Sequence, residues 1–177
     1  MRGALPIHAD VAAAGGAPRG ATIDGIIMLK LIDPRLNAEV LHALALMGHG
    51  DLIVVADANF PAASTAAHTS YRRLLRLDNL TLGEAVEAIL SLLPLDSLVD
   101  DAACRMRVDG QPDELPAVQR EAQQAIDASG EAAHALAGLD RHVFYERAKQ
   151  AYAVVLTGER RFYGTVLLRK GVIDAPA

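Results

Sequence analysis

The chain has 177 residues, a formal net charge of −5, a single cysteine and 51% hydrophobic residues. These figures rule out an internal disulfide framework and argue against a nucleic-acid surface, and no apolar run approaches the roughly 20 residues that a membrane helix needs. The length suits one domain, and with only 4% aromatic residues its core must rest on Ala, Val, Leu and Ile.

In chain order, residues 1–27 read as an N-terminal extension outside the fold. Ala9 to Gly20 is rich in Ala, Gly and Pro without a steady period, so ordering it would cost entropy for little burial. Asp10 and a Gly-Gly pair interrupt any apolar region of the signal-peptide kind. A domain over 28–177 follows. Asp33-Pro34 breaks the chain, Asn37 is the expected N-cap of a first helix, and Val40, Leu41, Leu44 and Met47 fall at helical spacing. Gly48 reads as the left-handed cap of that helix, and Gly50 leaves the backbone free beyond His49. Leu52 to Ala56 is a short continuous apolar run, the pattern of a strand covered on both faces. Asp57 then stands at its carboxyl end, where open α/β sheets bind ligands.

Ala62 to Ser70 reads as a small-residue loop, and Leu74 to Leu77 as a short strand. Thr81-Leu82-Gly83-Glu84 is a capping-box pattern that opens a helix with Ala85, Val86, Ile89, Leu92 and Leu93 on its apolar side. Cys104 to Val108 alternates as a strand does. Val118 to Ala128 is expected to be helical, closed by Ser129-Gly130, and 142–151 form another short helix. Ala153 to Leu156 reads as a buried strand, Thr157 to Arg161 as a polar connection with Gly158 available for a positive φ, and Val166 to Leu168 as the last strand. Alternating strands and helices predict an α/β three-layer domain with a mixed central sheet flanked by helices. The short link between the last two strands predicts that they pair antiparallel.

Few residues stand out chemically. His8, His42, His68, His134 and His142 lie in the extension, in helical segments or in loops, and read as solvated or packed side chains. His49, held between two glycines, is poor packing material and suits loop chemistry. Asp57 fits either a carboxylate that holds a ligand hydroxyl or a side chain that caps its own turn. Arg141 fits a ligand contact or a surface ion pair with Asp140. Five of the seven aromatic residues fall within 144–163. Cys104 reads as a small buried residue. Zinc spacing, a Walker loop, a dinucleotide fingerprint and a nucleophile elbow are all absent from the sequence.

Two sets of motifs carry a resemblance. Met47-Gly48-His49-Gly50-Asp51, an apolar strand, and then Asp57-Ala58-Asn59-Phe60-Pro61-Ala62 resemble the opening of the ribose pyranase/fucose mutarotase family. Phe144-Tyr145-Glu146-Arg147, Thr157-Gly158-Glu159-Arg160 and Tyr163-Gly164 resemble its fucose mutarotase branch. The likeness runs from about Met28 to Ile173.

The resemblance implies a cytoplasmic sugar mutarotase that needs neither cofactor nor metal. It would interconvert anomers, or pyranose and furanose forms, of fucose or a related monosaccharide. His49 would be the proton donor, since an unperturbed imidazole titrates at roughly 6.5. Asp57, Arg141, Tyr163, Gly164 and Thr165 would contact the sugar. Arg141 holds the family's arginine position, three residues before Phe-Tyr-Glu-Arg. The resemblance further implies a homo-oligomer, a decamer of two pentameric rings, with the pocket shared between neighbours. His49 and Asp57 would then come from one subunit and Arg141 or the Tyr163 region from the next. No nucleic acid or membrane partner is expected.

Two positions depart from the family pattern: Thr165 stands where the family has Asn, and Asn59 where fucose mutarotases often have His. The Thr165 departure motivates an alternative, a sugar-binding or transport-associated protein that does not turn its ligand over.

Overall fold

Asn37 caps the first helix as expected. Its Oδ1 accepts the Val40 N–H at 3.0 Å, capping α1 (Ala38–Leu46). The structure, a computed structural model, describes residues 29–130 and 134–173, so the extension expected over 1–27 lies outside the described residues. After α1 come β1 (Leu52–Ala56), α2 (Ala62–Ala66), β2 (Leu74–Leu77), α3 (Leu82–Leu90) and β3 (Ala103–Met106). Then follow α4 (Ala117–Ala128), β4 (Ala137–Leu139), α5 (Arg141–Lys149), β5 (Ala153–Thr157) and β6 (Val166–Arg169). Thr81 and Glu84 form the reciprocal capping box at the start of α3.

The six strands form one mixed sheet in the order β2-β5-β1-β6-β3-β4. Ile53 and Val55 of β1 face a core built with α1, α3 and α4, while Val54 and Ala56 face a second core with Phe60, Phe144 and Ala148. This is the period-2 alternation of a strand covered on both sides, and it produces the three layers. Phe144 is fully buried and Tyr145 stacks on Phe60 at 5.4 Å, so part of the aromatic window fills the chain's own core.

Four expectations are corrected. The last two strands do not pair with each other: β1 lies between them, parallel to β5 and antiparallel to β6. The link between them is long enough to cross over a strand, and β6 gains two partners, β1 and β3, by doing so. Gly48 is not a left-handed cap, because Met47 ends the helix by turning extended; the positive φ falls at Gly50, at +85°. Gly158 is required for space, not for φ, since a Cβ there would sit 2.1 Å from the Asp78 carbonyl oxygen. The loop expected after Pro61 contains the single turn α2.

Candidate active site

Five strands run one way and β6 runs the other. One sheet edge therefore collects the carboxyl ends of β1, β2, β3, β4 and β5 together with the start of β6. Asp57, Arg141, Tyr163 and Thr165 meet there, around a cleft of about 400 Å³ walled in part by Phe60, Tyr145 and Phe162. That volume lies within the usual range for small-molecule sites. Phe162 stands 76% exposed at its rim.

Asp57 performs the turn-capping role that its position predicted, and does more. Its Oδ1 accepts the backbone N–H groups of Asn59 and Phe60 at 2.8 and 3.1 Å. Its Oδ2 accepts the Thr165 hydroxyl at 2.9 Å, while the same hydroxyl oxygen accepts the Asp57 N–H at 3.1 Å. Thr165 thus fixes the carboxylate, across from β6 to β1, and is itself buried. Gly164 makes this approach feasible, since a Cβ there would lie 2.7 Å from Glu159 Cγ and 3.2 Å from Asp57 Cβ.

Tyr163 adopts a left-handed φ of +61°, uncommon for an aromatic residue. Gln119 helps hold it there, donating from Nε2 to the carbonyl oxygens of Tyr163 and Met106 at 3.0 and 2.9 Å. The Tyr163 hydroxyl accepts the Asp109 N–H at 3.1 Å, and the Arg141 guanidinium lies 5.9 Å from the ring centroid. Arg141 does form a surface ion pair, with Asp109 at 2.7 Å; the pairing with Asp140 weighed from the sequence does not form, because Asp140 pairs with Arg107. Asp109 and Gln119 carried no sequence signal beyond a turn and a helix, and only the packing of the β3–α4 segment against the 158–165 loop assigns them a part.

That loop is anchored by Glu159, whose side chain is 3% exposed. Glu159 Oε1 accepts the N–H groups of Arg160 and Arg161 and the Arg161 Nε–H, each at 2.9 Å, and Oε2 accepts Arg161 Nη2 at 2.7 Å. Arg161 continues to Glu121 on α4. The Arg161 guanidinium, outweighing burial and aided by backbone N–H groups, holds the Glu159 carboxyl at about 2. A carboxyl held below its unfolded value stabilises the fold above that value and loses the effect as pH falls through the folded one. Wild type should therefore lose this contribution between pH 4.5, the ordinary glutamate value, and about 2. Glu159→Gln turns an NH₂ group toward these donors. It should cost about 2–3 kcal/mol at neutral pH, lower the melting temperature by roughly 4–12 °C, and flatten that acid limb. Thermal melts of both proteins from pH 7 to pH 2 check this.

His49 is not in the cleft. It lies before β1 and Asp57 lies after it, and the strand alone spans about 17 Å. The two sit at opposite sheet edges, so the expected grouping of His49 with Asp57 is corrected: Asp57, Arg141 and the Tyr163 region share one cleft within one chain. The His49 turn is firmly tied. Gly50 N–H donates to Lys170 O at 2.8 Å, Lys170 N–H to Asp51 O at 2.9 Å, and Gly48 N–H to Asp51 Oδ2 at 2.7 Å. The imidazole remains 47% exposed and touches Asp96, a contact with no sequence signal.

Residues 30–173 match the RbsD / FucU transport protein family. The chain is 42% identical over 151 residues to the fucose mutarotase of Homo sapiens, covering 84% of this chain and 96% of that one. Among solved structures it resembles protein Atu2016, with 52% identity, 84% and 99% coverage and a TM-score of 0.81. It also resembles the fucose mutarotase of Streptococcus pneumoniae in complex with L-fucose, with 40% identity, 82% and 100% coverage and a TM-score of 0.73.

Proposed function

The chain belongs to the RbsD / FucU transport protein family, and on that premise we propose that it is a mutarotase interconverting the anomers of fucose or a related monosaccharide. The observation that carries this reading is the 42% identity to a fucose mutarotase over nearly the whole of both folds. The cleft adds a fixed carboxylate, a guanidinium and aromatic walls within a volume suited to one sugar.

The chemistry is an acid–base ring opening. The ring oxygen takes up a proton, the anomeric hydroxyl gives one up, and the bond between the anomeric carbon and the ring oxygen breaks to leave an open-chain aldehyde. Rotation of the carbonyl followed by the reverse transfers closes the ring on the other face. Positioned acid–base groups supply roughly 10²–10⁴-fold, enough for a reaction that already proceeds in water. Asp57 and Arg141 hold sugar hydroxyls, and Tyr163 and Gly164 shape the wall.

The proton donor is His49 of a neighbouring copy. Its exposure on the edge opposite the cleft supports this, as does the absence of any histidine among the residues that line the cleft. A His49 edge seated on a cleft edge is a head-to-tail contact, the kind that closes into rings. Apolar side chains stand on both edges: Phe162 at the cleft and Leu98, 72% exposed, near Asp96. We read the assembly as a homo-oligomer, a decamer of two pentameric rings. No helix among the described residues is long and apolar enough to cross a membrane, and we place the enzyme in the cytoplasm.

Saturation-transfer NMR with fucose tests the activity. A mutarotase transfers magnetisation between the two anomeric proton signals in proportion to enzyme added. Ligand contact without exchange would instead identify a sugar-binding protein, the reading that Thr165 motivates. Position 165 also bears on sugar choice. Thr165→Asn restores the amide of the family pattern and should raise exchange with fucose relative to other monosaccharides; an unchanged profile over a sugar panel would remove that role.

A further inference from the structure

Asp96 has no part in the mechanism above, yet it is built into the fold directly behind the proton donor. The segment Pro94–Asp96 is stitched to the end of β6: Asp96 N–H donates to Arg169 O at 3.1 Å and Gly171 N–H to Pro94 O at 2.8 Å. Gly171 allows that approach, since a Cβ there would lie 2.4 Å from the Leu95 carbonyl oxygen. The same end of β6 ties down the His49 turn through Lys170, so Asp96 and His49 are referenced to one rigid strand end. The Asp96 side chain is 3% exposed. Its Oδ1 accepts the Leu98 N–H at 3.1 Å, leaving Oδ2 aimed at His49 Nε2, also at 3.1 Å.

We propose that Asp96 is a positioning residue for His49: it takes the Nε2–H, fixes that tautomer and stabilises the imidazolium, so that Nδ1, facing the sugar in the neighbouring cleft, takes the proton of the anomeric hydroxyl and then passes it to the ring oxygen as the ring opens. A carboxylate accepts hydrogen bonds and donates none, so the shared proton stays on the imidazole. Burial raises the Asp96 carboxyl, but the Leu98 N–H, the His49 ring and the nearby Arg169 guanidinium outweigh it and hold the group below its ordinary value. Asp96 therefore remains an acceptor across the neutral range. The inference rests on the mutarotase reading for its catalytic consequence, though the tautomer itself does not depend on it.

Asp96→Asn separates positioning from mere turn capping. With the amide oxygen retained by the Leu98 N–H, the NH₂ group faces Nε2 and donates to it, so the imidazole proton must move to Nδ1. The same inversion in a Ser-His-Asp triad leaves geometry intact and removes most of the activity. In the full-length protein, long-range ¹H–¹⁵N correlation spectra of neutral His49 should report the Nε2–H form in wild type and the Nδ1–H form in Asp96→Asn. Exchange turnover should fall about 100-fold or more, with the KM for fucose within about twofold and the melting temperature nearly unchanged. Asp96→Ala should give mixed tautomers and an intermediate loss. If Ala at this buried site prevents folding, the isosteric Asn variant carries the test. A folded Asp96→Asn protein with the wild-type tautomer, or with inverted tautomer and full turnover, would overturn the proposal. A protein that binds fucose without exchange would contradict the mutarotase reading while leaving the tautomer result intact.

Discussion

His49→Ala should lower anomer exchange by roughly 10²–10⁴-fold and leave the melting temperature within a few degrees of wild type. The two halves of this expectation have separate causes. The rate should fall because, on the proposed mechanism, the ring opening loses the group that gives and retakes the ring-oxygen proton. Stability holds because the imidazole is half exposed and fills no core volume. The turn that carries it is closed by backbone hydrogen bonds from Gly50, Lys170 and Gly48, none of which uses the histidine side chain. Fucose affinity should change little, because the proposed sugar site is the cleft at the other edge. Saturation transfer at several enzyme concentrations, paired with a thermal melt, measures both; wild-type exchange in the variant would remove His49 from the chemistry.

Asp57→Asn should act on binding. The amide oxygen can keep the Asn59 and Phe60 N–H groups that Oδ1 now accepts, and the amide NH₂ can donate to the Thr165 hydroxyl oxygen in place of the present contact. The turn therefore survives, with the melting temperature within about 3 °C of wild type. The negative charge does not survive, and a hydrogen bond to a charged group contributes about 1.5–3 kcal/mol. Affinity for fucose should fall roughly 10- to 100-fold, read by titration calorimetry. A large fall in melting temperature with unchanged affinity would reduce Asp57 to the structural cap that it also is.

Local order was legible wherever one short-range cause dominated. The apolar run 52–56 had to be a covered strand, and the Asn37 cap and the Thr81–Glu84 box marked helix starts that the structure reproduces. The three layers followed from the alternation of elements. Strand β4 was not legible, because Ala137-Gly138-Leu139 has no β-branched or aromatic residue and gains its strand form only by pairing with β3. The insertion of β1 between β5 and β6 is a long-range outcome that no local pattern encodes.

The candidate residues drew notice one by one, but their grouping in space did not follow from the sequence. His49 and Asp57 drew notice as one stretch, and closeness in sequence suggested closeness in space. An extended strand does the opposite, carrying its two ends to opposite edges of the sheet. Arg141, more than 80 positions from Asp57, instead reaches the same cleft because β4 and α5 deliver it to the carboxyl edge. Thr165, a departure from the family pattern in sequence, proves to be a buried partner of Asp57.

If one working site takes its proton donor from one subunit and its sugar-binding groups from another, as proposed, subunit mixing will reveal it. His49→Ala and Arg141→Ala homo-oligomers should each be nearly inactive in fucose saturation transfer. Dissociated and reassembled together, they should recover a substantial fraction of wild-type exchange, because some interfaces then join an intact His49 to an intact cleft. Mixtures that stay as inactive as their parents after verified subunit exchange, or a monomer fully active at high dilution, would contradict the shared site.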